Sequence, residues 1–480
     1  MSADDAWSAN ANDALTLSLV TPSSTGLKTL TTFHPKFTHT VFGDDEQVFG
    51  YQNLQINVQY HASDMRPHLD VFYSKKFKAV GETEAVDIKK ILSDYLPEVA
   101  FQKKKDYEDA LKRVRDDWTP PGELAATFTK RGATYEVWKG NLEDPSIKQL
   151  VRRIQFFVPL FVEGGQYIQI DEPEAERWTI YFLYQKKPVP GEAERFSYTF
   201  AGYSTVYRFF LFQAPPTPPQ SPSDKTTDPT SLLNGSFDLA ELPCRSRISQ
   251  LIVIRPFQNK GLGPKLYGIV FQEYLKHAPT VEITVEDPNE AFDDMRDIAD
   301  LHFLRTLPAF NALRINTSLT IPYNGVAPNN IVDKAASEAV RRQAKIAPRQ
   351  FARVLEMHLM SQLAEAVQPG ISPEKSATRA KKEEAHQYRL WRLIAKKRLY
   401  QHNKDLLGQL ELKDRVEKLN ETLSGVEFDY ARLLIKAETQ LKQAREDEES
   451  AGGRKRKSED DKDKEGEGES ARKKAKVRSE

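Results

Sequence analysis

Two groups of residues in this 480-residue chain have types and spacing that suit chemistry: Gln258-Asn259-Lys260-Gly261-Leu262-Gly263, and Glu286-Asp287. The first is a short loop with two glycines, followed by Pro264. Glycine lets a ligand come close to the backbone. A loop that opens a helix leaves backbone N–H groups pointing outward. With the helix dipole, those groups suit a pyrophosphate. The second group is a carboxylate pair closing a β-branched run, a place for a general base. Together they suit an enzyme that moves a group from a phosphorylated carrier to an amine.

The elements that must position these residues are readable. Ile248 to Ile254 is a short strand-forming run, ended by Arg255-Pro256-Phe257. Pro264 fits the first turn of a helix. Leu266, Ile269, Val270, Tyr274 and Leu275 follow at helical spacing. His277-Ala278-Pro279 breaks that helix, and Val281 to Val285 alternates as a second strand. The loop alone is a weak signal. It is too short for the dinucleotide fingerprint, and no Gly-Lys-Ser/Thr follows it. An ordinary strand-to-helix turn fits it equally well until the second strand and its acidic end are counted.

Pro256 to Gly263, Pro279 to Pro288, and Met295-Arg296-Asp297 resemble the catalytic-subunit family of type B histone acetyltransferases, within the GCN5-related N-acetyltransferase (GNAT) superfamily. Four further segments are similar to that family. They are Phe42-Gly43-Asp44-Asp45-Glu46 with Phe49-Gly50-Tyr51, Phe161-Val162-Glu163, Gly202 to Tyr207, and Ala347 to Val354. The resemblance runs from about Phe33 to Met360. Leu262 departs from it, since some relatives carry His there; that side chain need not touch a cofactor.

The resemblance implies an α+β protein: an N-terminal α+β domain, a central GNAT mixed sheet with flanking helices, and a helical C-terminal domain. It implies direct acetyl transfer from acetyl-CoA to tail lysines of newly made histone H4. Glu286 is then the general base, with Glu163 and Asp287 as secondary candidates. Partial burial at the strand end is expected to tune Glu286. Asp287-Pro288-Asn289-Glu290 also reads as a helix start, with Asp287 at the N-cap and Glu290 at the third position, so both are expected to be mainly structural.

For the cofactor, the resemblance implies that Leu251, Ile252 and Val253 pair their backbone with the pantetheine amides. Gln258, Asn259, Lys260, Gly261, Leu262, Gly263 and Pro264 would hold the pyrophosphate. Asn289 matches a cofactor contact, although a plain helix asparagine fits as well. For the peptide, Asp44, Asp45 and Glu46 match one histone-contacting segment, and Tyr207, Arg208 and Phe209 match another. By residue type alone, the acidic cluster is a solvated turn, and the aromatics are core packing. The implied partners are histone H4, histone H3 in the pre-deposition complex, and a WD-repeat histone-binding subunit. The implied locations are cytoplasm and nucleus.

Composition sets bounds. A single cysteine, Cys244, excludes internal disulfides and a cysteine-based zinc site. A covalent acetyl-cysteine route is not expected of it. Nine scattered histidines show no ligand spacing, so no metal is expected. No apolar run is long enough to span a bilayer, and no membrane association is expected. The chain holds 69 basic and 69 acidic residues; without the last thirty, 58 and 61 remain. A slightly acidic body suits a basic peptide better than a nucleic acid.

The expected organisation is a loose N-terminus over residues 1–30, an N-terminal domain over 31–155, and the acetyltransferase domain over 156–305. The last carries a disordered Pro-rich insertion at 214–243. A helical domain over 306–445 and a charged, disordered tail over 446–480 complete it. Two basic clusters in the tail, Arg454 to Lys457 and Arg472 to Arg478, read as a bipartite nuclear import signal. Two other readings stay open at this level: an acetyltransferase for a different amine, or a histone-binding scaffold without turnover.

Overall fold

The computed structural model describes residues 7–115, 117–189, 191–211, 241–321, 328–370 and 380–443. The charged tail, and the Pro-rich stretch except 241–243, lie outside the described residues. The chain forms two compact units, which divide between Pro288 and Asn289.

The first unit holds two main sheets. The smaller one comprises β1 (Leu15–Ser23), β2 (Gly26–Phe33), β3 (Gln55–His61) and β4 (Pro67–Phe72), in the spatial order β2-β1-β3-β4. The stretch expected to be loose up to residue 30 therefore supplies a central strand and most of its neighbour. The reason is an alternation hidden among Ser and Thr. Leu15, Leu17 and Leu19 are fully buried, and threonine is at home on a half-buried pleat.

Helix α1 (Pro145–Ile154) follows, with Pro145 at its first position and Asp144 as its cap. Its Arg153 donates to Asp64 Oδ2 at 2.9 Å in the turn after β3, and His61 Nδ1 lies 2.7 Å from Oδ1 of the same carboxylate. These contacts hold Asp64 down at a pKa of about 2, against the opposing effect of burial.

The larger sheet has six strands in order along the chain: β5 (Glu123–Lys130), β6 (Ala133–Asn141), β7 (Trp178–Val189), β8 (Glu192–Phe210), β9 (Cys244–Val253) and β10 (Thr280–Val285). β7 and β8 form an antiparallel pair with apolar alternation. All neighbours are antiparallel except β9 and β10, which are parallel. A parallel pair needs a crossover, and helix α2 (Leu262–Lys276) supplies it. The sheet begins at Glu123, so the boundary expected at residue 155 falls inside it; β5 and β6 carry too little apolar alternation to announce themselves.

The second unit is helical. Its main helices are α3 (Glu290–Leu304), α4 (Pro348–Met360), α5 (Lys382–His402) and α6 (412–443). It thus begins before the boundary expected at 305. Arg296 and Asp297, part of the resemblance, are buried. Asp297 receives Gln350 Nε2 at 2.9 Å and Arg353 Nη2 at 2.5 Å, which ties α3 to α4. Tyr388 donates to Glu427 at 2.6 Å and Lys396 to Asn420 at 2.5 Å, so α5 and α6 form a helical hairpin. Leu406, Leu412 and Val416, near the hairpin's turn, are exposed, while Leu423 is fully buried.

Candidate acetyl-transfer site

The two parallel strands part company at one point. Ile248 opposite Val285 is the last pair between β9 and β10, and Glu286 N donates to Ile248 O at 2.9 Å. β9 then runs on from Ser249 to Val253 beside β8, with no strand on its other edge among the described residues. That open edge carries Leu251, Ile252 and Val253, where an extended amide chain finds backbone partners. Gly202 lets β8 pass close to it: a Cβ there would lie 2.3 Å from Ile252 O.

Gln258 does not reach outward. Its Nε2 donates to Val253 O at 2.7 Å, which pins the loop against the strand and occupies that carbonyl. Asn259 has φ of 58° and Gly261 φ of 76°, so the chain turns through two left-handed residues before α2. No side chain caps α2 and no acid lies in its first turn. Its leading N–H groups are therefore left for a ligand or solvent. Leu262 is buried in the core, so its departure from the family pattern leaves the loop's outer face unchanged. Pro264 is the third residue of the helix.

Glu286 is held at the end of β10 by two residues of β9. Ser249 Oγ donates to Oε2 at 2.5 Å, and Arg247 Nη1 lies 3.6 Å from Oε1. Ser249 occupies a β-bulge. Thr205 faces Gln250 and Val206 faces Ile248, so β9 carries one extra residue between them. The Glu286 side chain is 42% exposed, so the burial expected to tune it is not there; a strand end beside an open edge is wet.

The acidic corner differs from its sequence reading. Asn289, not Asp287, caps α3, and its Oδ1 accepts from Phe292 N at 2.9 Å. Asp287 instead has φ of 31° and makes the bend before Pro288. Pro288 moves the helix start two residues on, which puts Glu290 at the first position. Glu163 is exposed in a turn three residues before Gln166, whose carbonyl receives Gln250 Nε2 at 2.9 Å. No hydrogen bond or ion pair among the described residues joins it to Glu286.

The second peptide segment divides by strand alternation. Tyr207 and Phe209 share one face of β8, and Arg208 takes the other, where it donates to Glu176 O at 2.9 Å. Tyr207 donates to Glu174 at 2.5 Å, accepts from Arg177 at 2.9 Å and packs on Trp178. Phe209 is partly exposed, with the Arg247 guanidinium 4.1 Å from its ring centre. Arg247 thus links the aromatic face to Glu286. Sequence reasoning missed Arg247, Ser249, Glu174 and Arg177; a bulge register leaves no mark in residue types.

Comparison with known proteins settles the family. A profile described as the histone acetyl transferase HAT1 N-terminus matches residues 7–163, and one described as fungal HAT1, C-terminal, matches residues 297–364. A histone acetyltransferase type B catalytic subunit of Neurospora crassa is 55% identical over 471 residues, covering 94% of this chain and 92% of the relative. The protein of the same description in Gibberella zeae is 50% identical, covering 89% and 90%. That of Aspergillus oryzae is 38% identical, covering 92% and 88%. The chain belongs to the histone acetyltransferase type B catalytic subunit family. A solved aminoglycoside acetyltransferase from an uncultured soil metagenomic sample matches over 40% of this chain and 95% of its own, at 14% identity and a TM-score of 0.19.

As a histone acetyltransferase it is an α+β enzyme, and its family implies acetyl-CoA as donor. The open β9 edge and the uncapped start of α2 fit that donor: one suits an extended amide arm and the other a pyrophosphate. Among the described residues, no group of three or more His, Cys, Asp or Glu side chains is arranged to hold a metal ion. No helix among them is long and apolar enough to cross a membrane.

The acidic cluster of this acetyltransferase splits in two. Asp44 and Asp45 are exposed. Glu46 is internally occupied: its carboxylate accepts from Thr38 N at 2.6 Å, His39 N at 3.1 Å and Asn12 Nδ2 at 2.5 Å. The hydrogen bond from Thr38 N is the largest influence holding its pKa below the usual carboxylate range. Glu46 thus has a structural role, tying residues 38–39 to Asn12.

Proposed function

We propose that this enzyme acetylates N-terminal tail lysines of newly made histone H4, with Glu286 as general base. The observation that carries the reading is the half-exposed Glu286 carboxylate, gripped by Ser249 and Arg247 at the point where β9 loses its partner strand.

A free lysine has a pKa of about 10.4 and is almost wholly protonated at neutral pH. Glu286 takes one proton from the ammonium and later passes it to water. The freed nitrogen pair attacks the thioester carbon, and the carbon–sulfur bond breaks. The second nitrogen proton, lost as the amide forms, ends on the CoA sulfur. Leu251, Ile252 and Val253 align the pantetheine arm, and the loop from Gln258 to Pro264 takes the pyrophosphate. Asp44, Asp45, Tyr207 and Phe209 receive the basic peptide.

The names of the relatives, histone acetyltransferases, support a histone as acceptor. By the resemblance, a WD-repeat histone-binding subunit and histone H3 complete the assembly, and the enzyme works in cytoplasm and nucleus. The decisive experiment is transfer from labelled acetyl-CoA to an H4 tail peptide, wild type against Glu286→Gln, with a polyamine as second acceptor. A loss of about 10² to 10⁴-fold in kcat supports the base. Equal rates would remove Glu286 from that role, and preference for the polyamine would overturn the histone assignment.

A further inference from the structure

The turn between β5 and β6 reaches the cofactor loop. Lys130 and Ala133 close a two-residue hairpin whose central residues, Arg131 and Gly132, both have positive φ, 49° and 74°. That is the turn geometry whose twist matches the flanking strands, so the hairpin end is a firm support. Lys130 is the last residue of β5, and its side chain lies along Gly261. A Cβ built at Gly261 would be 3.2 Å from Lys130 Cε and 3.9 Å from Nζ. Phe128, two residues earlier on the same face, receives Lys265 of α2 at 5.5 Å from its ring centre. The hairpin therefore seats on the first turn of α2 through both residues.

The charges there are of one sign. Lys130, Lys260 and Lys265 surround the start of α2, and among the described residues none forms an ion pair with a carboxylate. Elsewhere on the same sheet the pattern differs: Lys139 is paired with Glu123 and Glu273, and Lys186 with Glu136. Like charges gathered at a helix start, where the dipole is also positive, repel one another unless an anion sits between them.

We propose that Lys130 is a phosphate-binding residue of the acetyl-CoA site and contacts the pyrophosphate from the side opposite β9. This rests on the reading that residues 258–264 cradle that group. Lys130 stands at Gly261, in the middle of the loop, which favours the pyrophosphate over the 3′-phosphate of the same molecule. The contact forms in ground state and transition state alike, so it acts on KM rather than kcat.

The test is steady-state kinetics of the full chain with acetyl-CoA and with acetyl-dephospho-CoA, for wild type, Lys130→Met, Lys130→Arg and the loop variant Gly263→Asp, each checked for folding by circular dichroism. Lys130→Met should raise KM for both donors about tenfold, with kcat within twofold, and Lys130→Arg should restore KM. An unchanged KM in Lys130→Met beside a raised KM in Gly263→Asp would overturn the role of Lys130 and leave the loop standing. A penalty seen with acetyl-CoA but absent with the dephospho donor would move the contact to the 3′-phosphate and refute the proposal. Normal KM in both variants would refute the loop reading as well.

Discussion

Ser249 Oγ lies 2.5 Å from Glu286 Oε2, and Ser249 is the extra residue of the bulge between β8 and β9. Without the bulge, the alternation of β9 would be even and this hydroxyl would have a different aim. The same irregularity therefore orients the proposed base and marks where the cofactor edge begins.

Ser249→Ala should leave KM for acetyl-CoA within twofold and lower kcat about tenfold, corresponding to about 1.4 kcal/mol of transition-state stabilisation. The side chain orients the carboxylate and does not touch the donor's phosphates. A kcat within twofold of wild type in stopped-time acetylation assays would remove Ser249 from the mechanism.

Glu46 separates stability from recognition. Its folded-state pKa is lowered, so its contribution is complete above the unfolded value, about 4.3, and fades as pH falls through the lower folded value. Glu46→Gln should therefore lower the melting temperature at pH 7, and the gap from wild type should close as the pH drops below about 4. Asp44→Asn with Asp45→Asn should do the reverse, sparing the melt and raising KM for a basic peptide at low salt. Thermal melts beside peptide kinetics check both halves.

His358 is a second pH-linked group, in the helical unit. Burial first, then Arg305 and Arg314, push its pKa down to about 4, and Gln362 Nε2 lies 2.7 Å from its Nε2. The neutral ring accepts that hydrogen bond. The unfolded chain binds a proton near pH 6.5, so stability from this site is full above that value and declines as pH falls from about 6.5 to about 4. His358→Asn should flatten that part of the stability profile, measured by denaturant unfolding. A profile unchanged in slope would assign the decline to other groups.

Cys244 is buried on β9, with Thr280 Oγ1 3.9 Å from its sulfur, and Ser246 and Thr280 hydrogen-bond beside it. Among the described residues no carboxylate or imidazole contacts its sulfur directly; the His277 ring bonds Thr280 Oγ1 at 2.8 Å instead, and Cys244 lies five residues before Ser249 along the strand. Cys244→Ser should keep turnover within about twofold. A loss of 100-fold or more in a folded variant would point to an acetyl-cysteine intermediate.

Much of the site was legible because its parts are local. The β-branched run, the two glycines and the acidic strand end each reflect short-range chemistry, and the structure sets them on β9, α2 and β10 as expected. What could not be read depends on registers and distant partners. Ser249 became visible only through its bulge, Lys130 only through a hairpin 131 residues earlier than Gly261, and Glu46 only once Thr38 and His39 turned their N–H groups toward it. The helix start at Asn289 was misplaced by two residues because two capping residue types, Asp287 and Asn289, flank Pro288, and only the bend at Asp287 decides between them. The early hairpin was missed because its apolar alternation is diluted by hydroxyl residues.

The edge of β9 that no strand among the described residues covers has a consequence for the protein's life outside catalysis. Exposed strand edges recruit other strands, and a folded chain that carries one is prone to self-association. A donor molecule lying along residues 249–253 would occupy those backbone groups and act as a removable sixth-strand extension. Occupancy at a hundred times its dissociation constant would add about 2.7 kcal/mol to the folded state. The supply of acetyl-CoA would then set the solubility and lifetime of the enzyme as well as its rate, and starvation for the donor would first appear as aggregation.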